Sequence, residues 1–138
     1  MTDLSQLGVA GPIYEPLNQP FWEAAAQGVL KIQHCGACDR HVFYPRPICP
    51  HCWADALDWV AVSGRGRLKS YSEIWKPGHP GWIPVAPYLV GLVELDEGPT
   101  LLSHILAQDN HVQIGDRLTL APTQIGGRVL PCFRKDPS

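Results

Sequence analysis

The chain has 138 residues, a length that fits one domain or one domain with a small satellite and leaves no room for two large ones. Hydrophobic residues make up 45% of it and charged residues 17%, which is typical of a globular protein and excludes disorder throughout. The formal net charge of -2 argues against a protein that coats itself in nucleic acid, because non-specific phosphate binding needs an excess of Lys and Arg.

The first part of the chain predicts an arm followed by a short helix. Residues 1–17 carry glycines and prolines without hydrophobic periodicity, which indicates an extended arm. Residues 18–28 combine a capping asparagine, an early proline, an alanine run and a terminal glycine, and Phe21, Trp22 and Ala25 form the apolar side of the predicted helix. Because no signal peptide and no run of roughly 18 apolar residues is found, we expect a cytoplasmic protein.

Four cysteines follow in two closely spaced pairs. A strand predicted at residues 30–33 leads into Cys35 and Cys38, and Cys49 and Cys52 complete a C-x2-C-x10-C-x2-C pattern. Each C-x2-C turn places two thiolates on one side of an ion, and two such turns complete the tetrahedral shell that zinc prefers. Since four cysteines leave no open position for water or substrate, the predicted ion is structural and holds together a segment too small to form its own core.

Other interpretations of this cysteine-rich segment stay open from the sequence. A rubredoxin-type iron centre uses the same ligand set, whereas disulfides or a redox C-x2-C pair suit the pattern less well. His34, His41 and His51 lie close by along the chain; one of them either replaces a cysteine or, as we expect, all three lie on the surface around the thiolates. Cys132, far from the pairs, is predicted to be a small core residue.

From Leu57 onward the pattern changes to short strands. They are LDWVAV, RGRLKSYSEIW, YLVGLVEL, TLLSHIL, RLTLAP and RVLPCF, separated by turns rich in Gly, Pro and Asp. Short strands with no long helix between them predict a small antiparallel barrel. The connection 76–87 is long for a strand loop, and Trp75 and Trp82 either pack over the barrel mouth or anchor a partner protein.

Catalytic signals are weak in this sequence. No GxSxG, HExxH or GxxxxGK[ST] motif occurs. His79, His104 and His111 each stand without an evident acidic partner in the sequence. An independent small enzyme that uses one of these histidines is therefore the least favoured hypothesis.

A row of positive charges is the other candidate feature. Arg65, Arg67 and Lys69 alternate along one predicted strand and therefore point to the same face. This row is either a solvated outer face or a surface that recognises phosphates, on nucleic acid or on a nucleotide-bearing cofactor.

The motifs taken together resemble a known family. The most specific are FWE before the first cysteine pair, PRPICPHC around the second, SGRG after it and IGDRL near the end. The sequence is similar to the acyl-CoA-associated zinc-ribbon OB-fold family, long known only as a domain of unknown function. The resemblance implies a mainly β protein with an N-terminal arm and helix at 1–29, a rubredoxin-like zinc ribbon at 30–56 and a C-terminal OB-fold antiparallel barrel at 57–138.

The resemblance also implies a function. The family's zinc ligands correspond to Cys35, Cys38, Cys49 and Cys52, and no catalytic residue carries over. Members are partners of thiolases, thiolase-like aldolases, hydroxymethylglutaryl-CoA synthases or MaoC-type (hotdog-fold) enoyl-CoA hydratases, and they are thought to help hold acyl-CoA.

We therefore expect a non-catalytic, acyl-CoA-associated accessory subunit within a heteromeric complex of lipid metabolism. Arg65, Arg67 and Lys69 are the candidates for contacts with the CoA phosphates, since such cations complement them. The alternative is a nucleic-acid-binding module, because OB-fold barrels bind single strands and the same three residues offer a platform. The loop 75–87 is longer and more aromatic than the family pattern, which indicates a particular partner or acyl group.

Overall fold

The computed structural model describes residue 8, residues 15–126 and residues 128–137, so most of the predicted arm lies outside the described residues. The described chain contains one α-helix, α1 (Gln19–Ala26). Its strands are β1 (Leu30–Cys35), β2 (His41–Val42), β3 (Leu57–Val62), β4 (Arg65–Ile74), β5 (Tyr88–Leu95), β6 (Thr100–Leu106), β7 (Arg117–Ile125) and β8 (Arg128–Lys135). No described helix is long and apolar enough to cross a membrane.

Local sequence accounts for the bounds of α1. Pro20 occupies the first turn, where its missing N–H leaves no helical hydrogen bond unmade. Gly28 follows the last turn with a φ of 83°, a left-handed conformation that ends helices and favours glycine. The apolar side of the helix buries Phe21, whose ring lies 5.2 Å from that of Phe43. The predicted helix is thus confirmed.

The cysteine-bearing segment forms a three-stranded sheet in the order β2-β1-β3. All six residues of β1 pair with β3 in an antiparallel register that runs from Leu30 opposite Val62 to Cys35 opposite Leu57. The strand LDWVAV, which was predicted to belong to the barrel, is β3 and pairs in this sheet instead. Because β3 leads through two residues directly into β4, the sheet is tied closely to the barrel.

The remaining five strands form a closed barrel in the order β4-β5-β6-β8-β7. This is the strand order of the five-stranded OB-fold barrel, and that prediction is confirmed. Neighbouring strands are antiparallel except β6 and β8, which run parallel where Ile105 lies opposite Phe133. The parallel pair was not expected; it arises because β7 comes between β6 and β8 along the chain, and two reversals restore the direction.

One hydrophobic core joins the helix, β1 and the barrel. Its buried members are Phe21, Leu30, Ile32, Leu68, Leu89, Val93, Leu95, Leu101, Ile105, Val112, Leu118 and Phe133. A separate small cluster surrounds Cys35, Val42 and Cys49 at the far end of the three-stranded sheet. The near end of that sheet is therefore held by the barrel core, and its far end by contacts around the cysteines.

Close packing at Gly91 provides a test of the barrel core. A Cβ atom there would lie 2.8 Å from Ile105 Cγ1 and 2.9 Å from Leu68 Cδ1, whereas one at Gly78 would meet nothing within 4 Å. We expect Gly91→Ala to lower the free energy of unfolding by about 1–3 kcal/mol through overpacking, and Gly78→Ala to change it by about 0.5 kcal/mol or less. Urea unfolding of both variants measures this, and equal stabilities would contradict the described packing.

Candidate functional site

The four cysteines singled out in the sequence come together at one end of the three-stranded sheet. Cys35 is the last residue of β1, Cys38 lies in the turn after it, and Cys49 and Cys52 lie in the loop between β2 and β3. Their sulfur atoms all lie within 4.8 Å of one another. Cys35 and Cys49 are buried, Cys38 is half-buried and Cys52 is exposed, so the cluster sits at the surface with two sulfurs turned inward.

The sulfur geometry fits a tetrahedral metal site. Cys35 Sγ lies 3.6 Å from Cys52 Sγ, and Cys38 Sγ lies 3.7 Å from Cys49 Sγ. Four thiolates around zinc, at Zn–S bonds of about 2.3 Å, stand about 3.8 Å apart. All four cysteines are free of disulfides. Within the described ranges this is the one group of His, Cys, Asp and Glu close enough to hold a metal ion.

The two C-x2-C turns, which we call the first knuckle (35–40) and the second knuckle (49–54), have the same backbone geometry. The N–H of Asp39 donates to the Cys35 carbonyl at 2.9 Å, and the N–H of Trp53 donates to the Cys49 carbonyl at 2.9 Å. Both residues adopt left-handed backbone angles, with φ values of 62° and 66°. The backbone therefore aims both sulfur pairs at a common centre.

The surroundings of the cluster affect its thiols differently, since they favour the neutral thiol of Cys38 and the thiolate of Cys49. Burial raises the pKa of the Cys38 thiol to about 12. Burial also disfavours the thiolate of Cys49, but the backbone N–H groups of Cys52 and His51 outweigh it and lower the pKa of that thiol to about 7. Four thiolates at this spacing repel one another, and a divalent cation at the centre offsets their charge as the remaining protons leave.

The three neighbouring histidines lie around the cluster. His34 Nε2 lies 2.8 Å from Asp39 Oδ1, the rings of His34 and His41 are 5.0 Å apart, and His51 Nδ1 lies 3.3 Å from an Arg40 nitrogen. None of them belongs to the metal-capable group among the described residues. Their placement agrees with the expected surrounding role.

The row of cations on β4 is exposed, but two of its members are paired. Arg65 forms an ion pair with Asp136 at 3.2 Å, and Arg67 forms one with Glu94 at 2.7 Å. Lys69 lies at a bulge in β4 and has no ion pair within the described part of the chain. The predicted phosphate-binding surface therefore offers one uncompensated charge rather than three.

The long connection between β4 and β5 folds back onto the outside of the barrel. It contains a 3-10 turn, Pro80–Val85, in which Trp82 stacks on His104 with ring centres 4.7 Å apart. Tyr88 lies 5.1 Å from the same imidazole, and burial lowers the pKa of His104, which favours its neutral form. Trp82 thus packs on the barrel, whereas Trp75 is 67% exposed.

The histidines considered for catalysis have structural surroundings. Besides the stacked His104, His79 accepts a hydrogen bond from the N–H of Gly81 at 2.9 Å. His111 accepts one from Lys135 through its backbone carbonyl at 3.3 Å. No hydrogen bond joins any of the three side chains to a carboxylate in the ranges that the structure describes. The contacts described for these three residues are thus with backbone groups, a lysine and aromatic rings.

Cys132 lies in a second hydrophobic cluster beneath the folded-back loop. It is buried together with Ile125, and Trp82, Val85 and Leu106 pack against them. Burial raises the pKa of the Cys132 thiol to about 11, so the thiol is a poor nucleophile. The prediction of a small core residue is confirmed.

The barrel has an exposed apolar surface that was not predicted from the sequence. We call it the β5–β6 wall, and define it by the outward-facing residues Val90, Leu92 and Leu102. Leu92 lies directly opposite Leu102, and the two are 38% and 58% exposed. Antiparallel sheets normally turn polar side chains to water. The available signal was YLVGLVEL, which is apolar at both parities and so predicts burial on both faces.

A cleft lies beside this wall. It has a volume of about 1470 Å³ and is bounded by residues 84–89, 104–111 and 134–137. His104, His111 and Arg134 bring polar groups to it. Cavities that enclose a small ligand are typically about 300–1,000 Å³, so this cleft is larger than a self-contained pocket needs to be.

The fold and the cysteine cluster define a zinc-ribbon protein joined to an OB-fold barrel. Residues 22–58 match the ChsH2 rubredoxin-like zinc ribbon domain, and residues 59–123 match the ChsH2 C-terminal OB-fold domain. The chain belongs to this ChsH2 family, which is also called DUF35.

Several relatives are named as enzyme subunits. The chain is 38% identical over 120 residues, 85% of its length, to a probable enoyl-CoA hydratase alpha subunit of Thermomonospora curvata, of which it spans only 37%. It is 26% identical over 104 residues to the benzoylsuccinyl-CoA thiolase subunit BbsA of Geobacter metallireducens, covering 74% of this chain and 68% of that subunit. The solved structure of an Ltp2-ChsH2(DUF35) aldolase matches with a TM-score of 0.80 and 35% identity, over 91% of this chain and 98% of that one.

The cysteine cluster yields a direct test with a matched control. Cys35 and Cys132 are both buried cysteines, but of these two only Cys35 belongs to the cluster. We expect purified wild-type protein and Cys132→Ser to carry one zinc ion per chain, and Cys35→Ser to lose it because three thiolates leave the shell open. Metal analysis by mass spectrometry measures the content. Retention of zinc by Cys35→Ser, or iron in place of zinc, would contradict the assignment.

Proposed function

We propose that this chain is a non-catalytic accessory subunit of an acyl-CoA-processing enzyme. It binds a thiolase-like, aldolase or hydratase subunit and helps to form the acyl-CoA site of that enzyme. The observation that carries the proposal is the β5–β6 wall, where apolar side chains face water on a sheet whose exposed face is expected to be polar.

The wall has the character of a protein contact. Leu92 and Leu102 form one exposed cross-strand pair. The connection between β4 and β5, which packs on His104, carries two more exposed apolar residues, Trp75 at 67% and Ile83 at 60%. The free energy falls when a partner removes exposed apolar surface of this kind from water. Aromatic and aliphatic anchors at the centre of an interface contribute most of the binding free energy.

The names of the relatives agree with this role. The chain is similar in sequence to proteins named as a hydratase alpha subunit and a thiolase subunit. It is similar in structure to a chain of an Ltp2-ChsH2(DUF35) aldolase. The chain spans little more than a third of the hydratase subunit. In our proposal the chemistry comes from the partner.

Acyl-CoA is proposed as a ligand of the complex rather than of this chain alone. The cleft of about 1470 Å³ is wide for a small ligand, and a partner surface laid across it would complete a narrower channel. Lys69 is the most available of the three proposed phosphate contacts, because its charge is not ion-paired within the described residues. Arg65 and Arg67 would first have to exchange their carboxylate partners for a phosphate.

Zinc has a structural role in this proposal. Four cysteine sulfurs complete the coordination shell, so the ion offers no position for a substrate or a water molecule. Bound there, it cross-links the two knuckles and fixes the surface that they present. No specific observation favours the nucleic-acid alternative, since two of its three proposed cations are compensated by carboxylates.

Substitution on the β5–β6 wall tests the proposal. Leu102 is 58% exposed on the wall, and Ile114 is 62% exposed in the loop between β6 and β7. In tagged protein purified from its native host, we expect Leu102→Lys to reduce the recovery of the enzyme subunit by roughly ten-fold or more, because it places a charge in an apolar contact. Ile114→Lys should recover as much as the wild type. Quantitative mass spectrometry of the eluates measures both.

Two results count against the proposal. Recovery of the wild-type chain without any thiolase-like, aldolase or hydratase subunit would contradict the function itself. Equal recovery with Leu102→Lys and Ile114→Lys, at equal melting temperatures of the two variants, would show that the β5–β6 wall is not the contact.

A further inference from the structure

The second knuckle carries a tryptophan in an unfavourable place. Trp53 has a φ of 66° and is 81% exposed. Left-handed backbone suits glycine, asparagine and aspartate, and a bulky residue there is an outlier. At the equivalent position of the first knuckle stands Asp39, with a φ of 62° and the same hydrogen bond to the first cysteine of its pair. The position itself therefore does not require a tryptophan.

The indole of Trp53 brings nothing to the fold that would offset this strain. It belongs to none of the hydrophobic clusters of the described residues. No hydrogen bond or ring contact of its side chain is found in the ranges that the structure describes, whereas the carboxylate of Asp39 at least meets His34 at 2.8 Å. In a protein without a partner, the strained backbone and the large apolar side chain in water would both favour another residue in place of Trp53.

The segment that carries Trp53 has the composition of an interface. Ile48, directly before the second knuckle, is 44% exposed, and Tyr44 is 54% exposed. The segment 40–54 also contains two arginines and no acidic residue. Both arginines line a groove of about 660 Å³ beside the knuckle, and the two acidic side chains of that groove are already hydrogen-bonded within the chain. An aromatic anchor with an arginine rim is typical of protein contacts.

We propose that Trp53 is an anchor that inserts into an apolar recess, edged by carboxylates, on the partner enzyme subunit. The apolar recess takes the indole out of water, and the carboxylates complement the positive segment 40–54. This contact is separate from the β5–β6 wall, because it lies on the ribbon and not on the barrel. The inference rests on the proposed function for the identity of the partner.

A second copy of this chain is a less suitable occupant. A protruding Trp53 needs a recess, so the contacting surface of another copy would differ from the knuckle itself. Such a head-to-tail contact repeats from copy to copy and builds rings or filaments rather than a closed pair. Self-association of this kind is one outcome of the test below.

The test replaces the two equivalent residues of the knuckles. Trp53→Gly and Asp39→Gly both place glycine at a left-handed position. Trp53→Gly relieves the strain of a bulky residue there, Asp39→Gly removes the contact with His34, and both should keep zinc and a melting temperature close to that of the wild type. We expect Trp53→Gly to weaken binding to the purified partner subunit by roughly ten- to thirty-fold, the loss typical of an anchor residue, and Asp39→Gly to bind at least as well as the wild type. Trp53→Phe, which keeps an aromatic ring, should bind more tightly than Trp53→Gly.

Interferometry with the partner subunit from the co-purification gives the affinities, and sedimentation gives the oligomeric state. Wild-type affinity in Trp53→Gly would overturn the anchor and leave the proposed function intact. If the wild-type chain forms filaments or rings and Trp53→Gly loses them while it keeps its affinity for the partner, the recess belongs to a second copy and the proposal is overturned. If the wild-type chain captures no enzyme subunit, the proposed function fails and the anchor fails with it.

Discussion

The cluster of four cysteine sulfurs is the contact on which the rest of the ribbon depends. The knuckles have few apolar side chains of their own, and the buried residues around them are Cys35, Val42 and Cys49. Such a cluster is too small to fix two loops by hydrophobic burial alone. Sulfur atoms within 4.8 Å of one another supply the missing cross-link once a metal ion joins them.

This constraint holds the ribbon in place at both ends of its sheet. The near end of the three-stranded sheet shares its core with the barrel through Leu30 and Ile32, and the cysteine cluster fixes the far end. The second knuckle and the β5–β6 wall are therefore carried by elements that pack on one core. The histidines outside the cysteine cluster contribute to packing and to loop structure.

Much of this architecture could be predicted from local sequence. Cysteine spacing identified the metal-capable cluster, and Pro20 and Gly28 set the bounds of the helix because their backbone preferences act locally. The partner of β3 could not be predicted in the same way. Alternation in LDWVAV shows that a strand exists, but which strand it pairs with depends on the path of the whole chain.

The candidate site shows the same limit. Arg65 and Arg67 were expected to offer free charges, yet their partners Asp136 and Glu94 lie 71 and 27 residues away along the chain, beyond any local pattern. The exposed leucines of the β5–β6 wall were hidden for a related reason. A strand that is apolar at both parities does not reveal which of its faces is exposed.

Amide hydrogen exchange of the purified chain, before and after removal of the metal by a chelator, tests the central role of the cysteine cluster most directly. Exchange reports local opening, so it separates the knuckles from the barrel within one molecule. We expect the amides of residues 35–56 to exchange much faster once the metal is gone, while those of β5 and β6 keep their protection from exchange. Unchanged exchange in residues 35–56 after complete removal of the metal would contradict it.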